Sequence, residues 1–179
     1  MDNSSDIPLE EVVVRLMDTY GEDVYKLAFL YMRNQQSAED VHQEVFYKVM
    51  KSYHKFKHES SEKTWLFRIT INTCKDMLKQ SWFRRVSIFD SEEKFQKGYE
   101  LPVNMEEKET NQGLYELILK MPSRYREVIL LYYYEDLTYE EVANILHIPQ
   151  GTVQSRLSRG RQKLKKMMEE SGEFHGSGH

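Results

Sequence analysis

The sequence holds little of what would tie or break a chain locally: among 179 residues there are one cysteine, 4 prolines and 8 glycines. The single Cys74 excludes an internal disulfide framework and a zinc site built from several cysteines. With 40% apolar and 30% charged residues, few prolines and few glycines, the chain is not a disordered tail but has the length of one or two small globular domains. No apolar run approaches the ~18 residues of a spanning helix. Residues 1–10 are acidic and polar where a signal peptide is basic and then apolar, so a soluble cytoplasmic protein is expected. Catalytic chemistry is also missing. There is no Ser-His-Asp set, no paired carboxylates and no glycine-rich phosphate loop. His175 and His179, set among glycines, read as a flexible end and not as a metal site.

Charge is present in blocks. The net −4 divides into −6 over residues 1–50, +6 over 51–85, −4 over 86–112, −3 over 113–148, +6 over 149–168 and −3 over 169–179. Two basic segments therefore alternate with acidic ones, which an overall charge conceals.

Apolar residues recur at helical spacing, as in Val41, Val45, Phe46, Val49, Met50 and Tyr53, and β-type alternation is absent. The expected fold is all-α. Helices are predicted near 9–33, 37–54 and 61–81, with a capping-box start at Ser37 and Asp40, a cap at Ser60 or Ser61, and Gly21 placed to interrupt the first helix. From Val86 to Gln112 the period fades, acids accumulate, and Gly98 and Pro102 appear, so this stretch reads as a flexible acidic linker. It separates a domain over 1–85 from a second over 113–170, with a frayed tail over 171–179. The second domain is predicted to have helices near 112–121, 123–135, 138–146 and 150–169, with Pro122 and Pro149 at helix starts.

The last two helices carry a helix-turn-helix pattern. Thr138 and Glu141 have capping-box spacing, Val142 and Ile145 face inward, and Ala143 is small where a second helix crosses. Val153, ten residues after Ala143, supplies the contact from that helix. His147 holds the turn position where many such motifs have glycine. The helix that follows presents Thr152, Gln154, Ser155, Arg156, Ser158, Arg159, Arg161 and Lys163 and no acid up to Met168, chemistry suited to base edges and phosphates.

In the first domain, Glu39, Asp40, Gln43 and Glu44 form an acidic and amide face over the apolar positions that end at Phe46, a face suited to a basic protein partner. A solvated amphipathic helix explains the same composition. The helix after it divides into a core stripe of Leu66, Ile69, Thr73 and Met77 and a second face with Trp65, Arg68, Asn72, Lys75 and Lys79. Together with Lys63, these offer stacking, phosphate neutralisation and hydrogen bonding to an unpaired DNA strand.

Four segments in order, Ala-Glu-Asp-Val-His-Gln-Glu-Val-Phe at 38–46, Thr-Trp-Leu-Phe-Arg-Ile-Thr-Ile-Asn-Thr at 64–73, Leu-Thr-Tyr-Glu-Glu-Val-Ala at 137–143 and Gly-Thr-Val-Gln-Ser-Arg-Leu-Ser-Arg-Gly-Arg at 151–161, resemble the extracytoplasmic-function (ECF) group of bacterial RNA polymerase sigma factors. The likeness runs from about residue 16 to 168. It implies a stress-response transcription initiation factor with no catalytic residues, cofactor, metal or small-molecule substrate of its own. The partners it implies are core RNA polymerase, promoter DNA as a −35 duplex and a melted −10 strand, and an anti-sigma protein, often membrane-bound. It assigns Glu39, Asp40, Gln43, Glu44 and Phe46 to the polymerase clamp. Lys63, Trp65, Arg68, Asn72 and Lys75, with the loop Phe56–Lys63, go to the −10 element, and residues 152–163 to the −35 element. A two-domain helix-turn-helix regulator without polymerase docking is the competing reading; it leaves residues 37–80 unexplained.

The linker fits this geometry. Residues 86–112 have a flexible-chain span of roughly 28 Å and a contour limit near 90 Å, against about 58 Å for ~17 base pairs. The acidic N-terminal segment and linker are also expected to screen the two basic segments of the free protein. In an anisotropy titration of one promoter duplex at one salt concentration, the full chain alone should bind more weakly than residues 113–179 alone and more weakly than reconstituted holoenzyme. Binding by the full chain alone as tight as that of either of the other two would remove the screening idea.

Overall fold

A computed structural model describes residues 8–87 and 112–171, and every regular element among them is helical, as the periodicity predicts. The chain divides into two compact units, residues 1–100 and 101–179. The predicted linker, but for its first two residues and its last, and all of the predicted tail except Ser171 lie outside the described residues.

The first unit is three helices, α1 (Leu9–Met32), α2 (Gln35–Ser52) and α3 (Glu62–Ser87), with a short 3-10 turn at Tyr53–Lys55. Its core is Leu16, Val24, Leu27 and Ala28 from α1, Val41, Val45 and Val49 from α2, and Leu66, Phe67, Ile71 and Cys74 from α3. Burial pushes the Cys74 thiol up to about 12, so it behaves as a small apolar core residue.

Several local expectations change. Gly21 does not interrupt α1; it is buried within the helix, and the His42 ring from α2 comes up against it and bonds its backbone. The start of α2 is not Ser37 and Asp40 but Asn34, whose extended backbone lets its side chain accept the Ser37 N–H at 2.9 Å. The chain turns from α1 to α2 in two residues because Arg33 takes a left-handed conformation at φ 54° and donates its N–H to the Phe29 carbonyl. Ser61 caps α3 by accepting the Thr64 N–H at 3.1 Å. The core face of α3 is wider than the predicted stripe: Leu66 and Thr73 are buried, Ile69 and Met77 only half so, and Phe67, Thr70, Ile71 and Cys74 complete it. Threonine is tolerated there because Thr70 Oγ1 bonds the Leu66 carbonyl at 2.9 Å within the helix.

The second unit has α4 (Gln112–Lys120), α5 (Ser123–Ile129), a π turn at Leu130–Tyr134, α6 (Tyr139–Leu146) and α7 (Gln150–Ser171). Pro122 and Pro149 stand immediately before α5 and α7, and their carbonyls accept the first helical bonds. The predicted helix over 123–135 does not stay α-helical. After Ile129 it widens, with the Glu135 N–H donated to the Leu130 carbonyl five residues back at 3.1 Å. Arg126, only 8% exposed, donates to the carbonyls of Leu119 and Met121 at 2.9 and 3.4 Å and so closes the end of α4. Gly160 lets α5 and α7 approach, since a Cβ there would lie 2.9 Å from Ile129 Cδ1.

Replacing Arg126 by Met keeps the apolar stem but deprives buried carbonyls at the end of α4 of their donor. The expected loss is about 2 kcal/mol, or roughly 8–16 °C in the melting temperature of the second unit. A melting curve unchanged from the wild type would mean that water replaces the guanidinium there.

Candidate nucleic-acid and partner-docking faces

On α2 the residues that point away from the core are set by the buried positions Ala38, Val41, Val45 and Val49. Asp40 and Gln43 are exposed, and Glu39 and Glu44 are half-buried at the margins. Gln35 donates to Glu39 at 3.0 Å, and Lys48 stands 3.8 Å from Glu44 while bonding Thr73 Oγ1 at 3.0 Å. The acidic face is therefore held by its own helix and tied to α3. Phe46 does not join it: at 5% exposure it packs beneath, 5.0 Å from the His42 ring, because it lies next to the buried Val45 on the core side. A shallow hollow lined by Gly21, Glu22, Tyr25, Glu39, His42 and Gln43 adjoins the face. Desolvation there lowers the His42 pKa, and its bond to the Gly21 backbone opposes that shift.

The start of α3 is built on aromatic contacts and one ion pair. Trp65 is half-buried, 5.0 Å from the Phe56 ring and edge-on to Tyr53 at 5.9 Å. His58, left-handed at φ 56°, lays its ring 4.5 Å from Phe56. Trp65 is thus one member of a cluster and not a lone platform. Lys63 sits over the Phe67 ring at 5.2 Å, Arg68 and Lys75 are half-buried, and Asn72 and Lys79 are exposed. Across from the cluster, Arg15 donates twice to Glu62, at 2.8 and 2.7 Å, and the Tyr53 hydroxyl donates to the same carboxylate at 2.7 Å. Nothing in the local pattern signals this network, since Arg15 and Glu62 are 47 residues apart.

The second unit presents α7. Val153, Leu157 and Gly160 are buried, which turns Gln154, Ser155, Ser158 and Arg159 outward together with Arg161 and Lys163, while Thr152 and Arg156 are half-buried. Thr138 and Glu141 make both bonds of the capping box, at 3.2 Å to the Glu141 N–H and 2.9 Å from the Thr138 N–H. Val142 and Ile145 are buried, and His147 adopts φ 54° at the turn, as its position in the sequence predicts. Ser155 Oγ is turned back to the Thr152 carbonyl at 3.0 Å. Arg161 donates to Tyr133 Oη at 3.2 Å, a contact between α7 and the π turn that the helix-turn-helix pattern does not contain. His175 and His179 lie outside the described residues.

Arg15 and Tyr53 hold the Glu62 carboxyl below its ordinary value of 4.5. A carboxylate with a depressed pKa stabilises the fold above its unfolded pKa and loses that contribution as pH falls through the folded value. Wild type should therefore lose more stability than Glu62→Gln between pH 6 and the region below 4.5. Urea midpoints of the two proteins that fall in parallel would show that the pair carries no net stabilisation.

Known proteins resemble this chain over most of its length. The family signature of sigma-70 region 2 matches residues 16–84, and that of sigma-70 region 4 matches residues 111–164. The ECF RNA polymerase sigma factor SigW of Bacillus subtilis (strain 168) is 29% identical over 170 residues, covering 89% of this chain and 90% of its own. The RNA polymerase sigma factor SigV of the same organism is 30% identical over 156 residues, covering 86% and 89%. Among solved structures, the sigma factor RpoE in complex with the anti-sigma factor NepR from Bartonella quintana shares the fold with a TM-score of 0.70 at 20% identity, covering 89% of this chain and 98% of that one.

Proposed function

The chain belongs to the ECF group of sigma-70 RNA polymerase sigma factors, and we propose that it performs that group's work, joining core polymerase and directing it to promoters, through the three faces of α2, α3 and α7. The observation that carries this reading is the order of two matches, region 2 over 16–84 and region 4 over 111–164, with a helix-turn-helix inside the second. A regulator without polymerase docking would leave the first unit without a role. Reaction chemistry stays with the polymerase, and the factor is itself no enzyme. It acts in the cytoplasm where its polymerase is; no described helix is long and apolar enough to cross a membrane.

In this reading a region 2 domain spans 1–85, a linker 86–112 and a region 4 domain 113–170, with the tail beyond. Asp40 and Gln43, flanked by Glu39 and Glu44, meet the polymerase clamp, with Phe46 supporting them from within. Acidic side chains on a rigid helix suit a basic partner because they lose little conformational freedom on docking. Lys63, Trp65, Arg68, Asn72 and Lys75 engage the melted −10 strand, with the cluster of Trp65, Phe56 and Tyr53 as a stacking surface. On α7, Gln154, Ser155, Ser158 and Arg159 face base edges in the −35 major groove, and Thr152, Arg156, Arg161 and Lys163 serve the phosphates. RpoE and CnrH are solved with the anti-sigma factor NepR and with the cytosolic domain of CnrY. An anti-sigma protein, soluble or membrane-anchored, completes the partners of this chain.

The test is transcription from a promoter library with reconstituted holoenzyme. Asp40→Arg should weaken capture of core polymerase without altering the melting curve, and unchanged capture would reject the docking face. Arg159→Ala should lose about 1–3 kcal/mol of −35 binding and relax base preference, whereas Lys165→Ala weakens all sequences alike. Identical base preferences for Arg159→Ala and wild type would reject base reading by that residue.

A further inference from the structure

Resting on the DNA reading of α7, we propose that Tyr133 forms with Arg161 a paired contact to one backbone phosphate at the rim of the −35 groove. The phenol holds the guanidinium and donates its own proton to the phosphate oxygen. Arg161 Nη1 donates to Tyr133 Oη at 3.2 Å, so the hydroxyl acts as acceptor in that bond and keeps its proton for another partner. Tyr133 is 50% exposed, and its ring is held edge-on to Tyr132 at 4.9 Å and 89°. Tyr132 in turn stacks on Tyr139, the first residue of α6, at 4.8 Å and 25°. The π turn at Leu130–Tyr134 carries two of these rings. The phenol is therefore anchored to the start of the helix-turn-helix while remaining open to solvent.

Position on α7 selects phosphate over base. Gln154, Ser158 and Arg161 recur at i, i+4 and i+7, a stripe that adjoins the buried one of Val153, Leu157 and Gly160. A recognition helix meets base edges with its N-terminal residues, so Gln154 and Ser158 face the bases while Arg161, two turns beyond Gln154, is at the groove rim, and Tyr133 comes from the element beside it and not from the helix that enters the groove. Phosphates line the groove rim, and tyrosine hydroxyls and arginine guanidinia are ordinary donors to them. An exposed arginine has side-chain freedom to lose on binding. The Tyr133 bond restricts it beforehand, which favours the bound geometry.

Holoenzymes carrying wild type, Tyr133→Phe, Arg161→Ala and the double variant are titrated with one promoter duplex at several salt concentrations. The duplex is also scanned with single methylphosphonate linkages across the −35 element. Phenylalanine keeps the ring contacts, and the melting temperature of each variant serves as the folding control. Tyr133→Phe is expected to bind roughly 3- to 10-fold more weakly, with unchanged base preference and unchanged salt slope, because no charge is removed. Arg161→Ala should lower the salt slope by about one. The double variant should lose less than the product of the two single losses, and one neutral linkage should penalise wild type but not the double variant. Wild-type affinity in Tyr133→Phe, or losses that multiply fully, would overturn the paired contact. Wild-type binding indifferent to the −35 element would instead remove the DNA reading on which it rests.

Discussion

Each helix leaves up to four donors and four acceptors unpaired at its ends, and the way this chain pairs them decides where its exposed faces point. Asn34 accepts the Ser37 N–H and Ser61 the Thr64 N–H, and Thr138 and Glu141 exchange two bonds at the start of α6. At the other ends, Arg33 and His147 enter left-handed conformations that return an N–H to the helix just completed. Each of these sharp reversals fixes the rotation of the following helix about its axis. The acidic face of α2 and the polar face of α7 are consequences of those rotations.

Burial then sorts the charges. On α7 the buried positions are few, Val153, Leu157 and Gly160, and most of the remaining circumference of its first three turns is polar or basic. A helix with so narrow an apolar stripe depends on close approach for its packing, which Gly160 permits against Ile129. The same narrowness leaves a wide polar and basic surface exposed. On α2 the stripe is broader, Ala38 through Val49, and the acidic residues occupy what is left, tethered to their neighbours by Lys48 and Gln35. Fold and function draw here on complementary halves of one helix.

The second unit was the more legible in the sequence because its decisive signals are local. The capping box, the interval from Ala143 to Val153 and the turn at His147 all lie within twenty residues. In the first unit the start of α2 was harder to read: Ser37 resembles a cap, but Asn34 competes for that role and wins because the left-handed Arg33 delivers it in an extended conformation. Gly21 resembles a break, yet a long helix packed on two others tolerates it.

What the sequence determined by itself is the helical class, the positions of most helices, the alternation of acidic and basic segments, and the side chains on offer to protein and DNA. Spacing of 3.6 residues and local caps act over one or two turns, so they can be read without a structure. Only the tertiary structure decided that Phe46 lies beneath the acidic face, that Trp65 belongs to a cluster and that Arg15 pairs with Glu62. The same holds for Arg126 at the end of α4 and for Arg161 on Tyr133. Each of these depends on residues that sequence separates, and their distance and orientation are set by how the helices pack rather than by any period within them.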